Sequence, residues 1–179
     1  MTWRIVSPRA GMPGITTHDT PAAVETVGST AITDIKAPLG TIIEAVDETY
    51  GHGEFIRLVG VASTIVGSLV TYDATTWQTA LTTHVPVQAR AVAVAMSASV
   101  ATEHGWYQIA GLAVIKKTAV VLAPQVTLAL SATSGRVKGT STSGMQIAGA
   151  RSANLATISG AVSTITANIA RPHLQTMIT

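Results

Sequence analysis

The rhythm of hydrophobic and polar positions changes at Gly40. Beyond it, apolar residues come in short runs separated by turn-forming residues, the pattern of strands rather than of long helices. Thr41 to Val46 is one such run, and Tyr50-Gly51-His52-Gly53 reads as the turn after it. From Glu54 to Val61 the side chains alternate, with Phe55, Arg57, Val59 and Val61 on one face and Ile56, Leu58 and Gly60 on the other. Further strands are expected over Ser68 to Tyr72, Thr76 to Leu81, Val87 to Met96, Trp106 to Lys116, Thr118 to Leu122, Val126 to Ser131, Arg136 to Lys138 and Met145 to Ala150. Many short strands at this spacing predict an all-β sandwich or small barrel.

Two stretches carry more detail. In QARAVAVAMSASV, Val92, Val94 and Met96 share one face, while the other holds only Ala and Ser and is nearly flat. A flat face lets another sheet or a neighbouring subunit come close. Near the C-terminus, Leu155, Ile158, Val162, Ile165 and Ile169 recur at helical spacing, but Ser159-Gly160 and the Ser/Thr/Asn content disfavour a helix. A strand from about 161 to 170, ended by Pro172, is the reading adopted.

The first 38 residues lack any sustained apolar period and hold Pro8, Pro13, Pro21 and Pro38. Proline biases the backbone toward extended forms, so residues 1–38 read as an N-terminal arm and residues 39–179 as the β domain. Trp3, Ile5 and Val6, beside Arg4 and Arg9, give the arm something to bury. Deleting residues 1–37 is accordingly expected to leave a folded domain.

Composition sharpens this picture. Hydrophobic residues make up 47% of the chain but aromatics only 4%, so the core must be built of Val, Ile, Leu and Ala. The β-branched Val and Ile among them suit a pleated surface. With no cysteine, disulfides and thiolate metal sites are out of reach. MTWRIVSPRAG lacks the apolar run of a signal peptide, and no stretch reads as a membrane span, so synthesis in the cytoplasm without membrane contact is expected.

Charge is divided unevenly. Residues 1–103 hold five basic and nine acidic side chains, whereas residues 104–179 hold Lys116, Lys117, Arg136, Lys138, Arg151 and Arg171 and no acid. These cations are spread too thinly for a nucleic-acid footprint, so direct nucleic-acid contact is not expected. An acidic protein partner or plain solvation fits them better.

Candidate chemistry is sparse. Glu44, Asp47, Glu48, His52 and Glu54 lie close in sequence but do not match a calcium loop, and strand geometry would scatter them. GTSTSG is not a nucleophile elbow, and SGRVKGTSTSG is not a phosphate loop. No catalytic, metal or cofactor site is expected, and the chain reads as a non-enzyme. The strongest constellation is EHGWYQIAG at 103–111. Glu103, His104 and Tyr107 could in principle do acid–base chemistry, but strand parity sends Trp106 and Tyr107 to opposite faces, with Gly105 setting the turn before them. Gly105, Trp106 and Tyr107 are therefore expected to anchor the structure.

Four stretches together resemble the capsid cement, or decoration, proteins of tailed bacteriophages: PLGTIIEAVDETYGHGEFI (38–56), GVASTIVGSLVTYD (60–73), VAVAMSASVATEHGWYQIAGLAV (92–114) and NIARP (168–172). The most specific piece pairs VAVAMSA with GWYQI-x-G. The resemblance implies a β-rich, jelly-roll-like structural protein on the outer surface of an icosahedral virion, bridging neighbouring major capsid subunits. It further implies partnership with the major capsid protein and with copies of itself, as a dimer or trimer, and no catalytic residues. Trp3, Arg4, Ile5 and Arg9 of the arm and Lys116, Lys117, Arg136 and Lys138 become the candidate capsid or subunit contacts. The rival expectation is a carbohydrate- or receptor-binding β module on a virion surface, which would need an exposed Trp or Tyr.

Overall fold

The computed structural model describes residues 2–6, 13–19, 24–27, 30–33, 37–85, 89–139 and 143–175. Among them there is no helix, and the fold is all-β. The strands are β1 (Arg4–Ile5), β2 (His18–Asp19), β3 (Val24–Val27), β4 (Thr30–Thr33), β5 (Ile42–Asp47), β6 (Gly51–Val59), β7 (Leu69–Tyr72), β8 (Thr79–Leu81), β9 (Ala91–Ala95), β10 (His104–Lys116), β11 (Thr127–Leu130), β12 (Val137–Lys138), β13 (Gln146–Ser152) and β14 (Thr164–Leu174). Strands β3 and β4 form a hairpin of their own; the other twelve make one antiparallel sheet ordered β1-β5-β6-β10-β9-β14-β13-β11-β12, with β2 on β10, β7 on β9 and β8 on β7.

The 13-residue β10 organises this sheet. Its first half pairs with β6 on one edge and, through Tyr107 and Gln108, with β9 on the other. From Ala110 to Lys116 the second edge passes to β14. The exchange falls at a bulge between Gln108 and Ala110, followed by Gly111 at φ +99°. A Cβ at Gly111 would collide with the His52 carbonyl oxygen, so the crossing of β10 and β6 requires glycine there.

Three cores follow from alternation along these strands. Phe55 and Trp106 pack with Ile15, Ala45 and Met96 on one side of the β6–β10 pair. Ile56, Leu58, Tyr107 and Ile109 pack on the other side against Val70, Ala93 and Ala95. The largest core holds Leu69, Val92 and Val94 with Ile115, Leu128, Leu130, Ile147, Ile165 and Ile169. Strands β7 and β9 thus wall off two cores, one on each face. The flat alanine face expected of β9 is used inside the molecule, where Ala93 and Ala95 leave room for the Tyr107 ring.

Several boundaries differ from expectation. The turn after β5 is centred on Glu48–Tyr50, and Gly51 already begins β6. Asp47 accounts for the shift: its Oδ1 accepts the amides of Thr49 (2.8 Å) and Tyr50 (3.1 Å), closing the turn one residue after the strand. Residues 118–122 form no strand; Leu122 only bridges to Ile158. Pro172 does not end β14. The ladder with β13 is interrupted there, Ala148 facing His173 and Ala150 facing Ile169, with Gly149 at φ +73° and Arg171 at φ +43°. The missing proline N–H falls in this bulge, and the strand continues to Leu174.

The first 38 residues are the main revision. Val6 N–H donates to the Glu44 carbonyl (3.0 Å) and Thr2 N–H to Asp47 Oδ2 (2.5 Å), which lays residues 2–6 along β5. Trp3 meets Phe55 edge-on at 4.8 Å and stacks on Tyr50 at 6.4 Å. Ile15 is buried in the Trp106 core. These side chains are built into the chain's own packing.

Candidate functional site

The stretch from Glu103 to Gly111, which opens β10, sits at the centre of the sheet. Gly105 lies within β10 and not in a turn before it, pairing with Leu58 of β6 and His18 of β2, and its lack of a side chain keeps space for Ser97 Oγ, 3.2 Å from where a Cβ would lie. Trp106 is fully buried, its Nε1–H donating to the Pro13 carbonyl at 3.2 Å. Tyr107 is buried in the opposite core, with its hydroxyl 3.3 Å from Ser99 Oγ. Burial pushes that phenol above its ordinary value, with the Ser99 and Thr79 hydrogen bonds opposing. Neither ring offers a face on which a sugar could stack.

Glu103 and His104 do not join Tyr107. The Glu103 carboxylate accepts the Val100 amide (2.9 Å) and lies 3.5 Å from His18 Nε2. Half-buried His104 shares the face of Trp106, where burial and the nearby Arg57 guanidinium lower its pKa against the pull of Asp19. The three groups proposed for acid–base work are thus distributed over two faces and an edge.

What the sequence reading missed is the group beneath them. Arg57, 2% exposed, donates through Nη2 to Asp19 Oδ1 at 2.5 Å, and its guanidinium lies 5.7 Å from the Trp106 ring centroid. Cation–ring attraction is strongest in such a desolvated place. The available signal was an arginine alternating with Phe55 on an otherwise apolar strand face. Its partner, thirty-eight residues earlier, carries no local pattern.

The acidic stretch around the β5–β6 turn is used piecemeal. His52 Nε2 lies 3.4 Å from Glu44, and Arg171 binds Glu54 Oε2 through Nε (3.1 Å) and Nη2 (2.9 Å). Asp47 is nearly enclosed; burial alone would raise its pKa, but the amides of Thr49, Thr2 and Tyr50 hold the carboxyl below its usual range. Among the described residues no three metal-ligating side chains converge.

The proposed contact residues separate into three groups. Trp3 and Ile5 face the chain's own core, Arg4 is exposed, and Arg9 lies outside the described residues. Lys117 is wholly buried, its ammonium donating to the carbonyls of Thr118 (3.0 Å) and Val120 (2.7 Å), and burial lowers its pKa. It cannot belong to a surface patch. Arg136 donates to the Lys117 carbonyl at 3.3 Å, while Lys116 and Lys138 are half-buried. A further cation, Arg151, stands exposed on β13 in a shallow groove of about 380 Å³.

Compared with known protein families, characterised proteins and solved structures, the chain matches none. Among the described residues no helix is long and apolar enough to cross a membrane.

Proposed function

We propose that this chain is a structural virion protein that binds the outer surface of an icosahedral phage capsid and cements neighbouring major capsid subunits. The observation that carries the reading is spatial. The four stretches that resemble capsid cement proteins are scattered over the sequence, yet they supply strands that touch: β5 and much of β6 from 38–56, β7 from 60–73, β9 and nearly all of β10 from 92–114, and the middle of β14 from 168–172. The loops beside that piece expose Ile65, Val66 and Val100, the kind of apolar surface that contact with another protein would cover.

Shells purified without the protein provide the test. Adding the purified chain should give saturable occupancy at symmetry-related positions on the outer surface, seen by cryo-electron microscopy, and should raise the temperature at which shells release DNA. Many weak contacts on one lattice gain through effective concentration, so occupancy should rise steeply on intact shells and be slight on isolated capsid subunits. Absence of added density on shells of the encoding virus would overturn the proposal.

A further inference from the structure

All nine acids of the chain precede residue 104, and every cation after that point lies in an acid-free half. The fold satisfies much of this imbalance internally. Asp19 meets Arg57, Glu54 meets Arg171, Asp47 is capped by amides and Lys117 is buried. Among the exposed charges without an ion-pair partner among the described residues are Glu48, at the tip of the β5–β6 turn, where Arg4 lines the same hollow, and Arg151, on β13.

The Asp47 hydrogen bonds to Thr49 and Tyr50 fix the turn, so Glu48 is carried on a tip that loses little freedom on docking. Arg151 stands in a row set by strand register, with Thr127 of β11 directly opposite on one side and Asn168 of β14 on the other. Ala148, Ala170 and Gln175 line the same groove. A guanidinium, a hydroxyl and amide groups beside small residues suit a carboxylate on a narrow turn. The tip and the groove lie far apart in the strand order, β5 and β6 near one end and β13 near the other.

We propose that copies of this chain associate head to tail, the Glu48 tip of one seated in the Arg151 groove of the next. Such a contact joins two different surfaces, so it propagates to a closed ring or an open chain according to the rotation between copies. Its strength depends on opposite charges and falls with salt. The inference stands apart from the capsid reading, because it concerns the purified chain in the absence of shells.

Sedimentation velocity tests it with four proteins: wild type, Arg151→Glu, Glu48→Arg and the double charge swap. Both side chains are exposed, so circular dichroism should show all four folded. Wild type should associate at about 50 mM salt and dissociate by about 500 mM. Each single variant should associate at least about tenfold more weakly. The double swap should recover association, and so should an equimolar mixture of the two single variants, since each then supplies the surface the other needs. A wild type that stays monomeric at low salt, single variants that associate as wild type does, or a swap and mixture no better than the single variants would each overturn the proposal.

Discussion

At the scale of single residues, the most consequential arrangement is the Arg57–Asp19 pair beneath Trp106. An arginine that is 2% exposed has surrendered its hydration, and among the described residues its Nε and Nη1 find no acceptor. The Asp19 carboxylate therefore carries most of the compensation, with the Trp106 ring adding to it. Asp19→Asn removes that charge and leaves the guanidinium buried, which should destabilise the fold by about 3–5 kcal/mol. Combining it with Arg57→Met removes the stranded cation and should recover much of the loss, since apolar replacements of buried ion pairs are often neutral. Urea unfolding of the single and double variants, followed by Trp fluorescence, measures both. An Asp19→Asn variant within about 0.5 kcal/mol of wild type would show that the pair contributes nothing net.

At the scale of elements, the sequence made β5 to β13 and the all-β class legible because most of those strands alternate or run apolar between turns. It also resolved the C-terminal ambiguity in favour of strand β14. It did not show where β14 ends, because the bulge that admits Pro172 depends on Gly149 across the ladder. Nor did it show that the first residues are woven into the domain. Their pairing with β5 and β10 is made over long sequence separations by two-residue strands, which are too short to display a period. The opposite burial of Trp106 and Tyr107 was legible from parity alone; the burial of Lys117 was not, because its acceptors are backbone carbonyls. This changes the outcome expected for the arm. Deleting residues 1–37 removes Ile15 from the Trp106 core, the Trp3 contact with Phe55 and the counter-ion of Arg57 together. The loss should exceed about 5 kcal/mol, comparable to the whole stability of many domains, so the truncated chain should lack a cooperative thermal transition. A truncated chain with a wild-type melting profile would return these residues to the status of an independent arm.

At the scale of the whole molecule, the shifted groups impose a sense on the response to pH. Burial and Arg57 depress His104 below its ordinary 6.5, so as pH falls through that region the unfolded chain takes up a proton before the folded one does. More protons bound to the unfolded state means stability falling with pH. Asp73, held down by the amides of Thr76 and Thr75, and Asp47, held down by its three amides against the effect of burial, act in the same sense as pH drops through 3.8. Lys117, lowered by burial, contributes the same sign below 10.5. The opposite limb belongs to Tyr72 and Tyr107, whose burial keeps them protonated above 10.0 when the unfolded chain has begun to ionise; there stability falls as pH rises. The thermal midpoint should accordingly decline in two steps between about pH 7 and pH 3. His104→Gln should flatten the first step and leave the second, whereas Asp47→Asn should shrink the second to the share of Asp73 and leave the first. Calorimetric midpoints across that range decide the assignment. A His104→Gln profile parallel to wild type through the first step would detach that limb from the Trp106 side of the sheet.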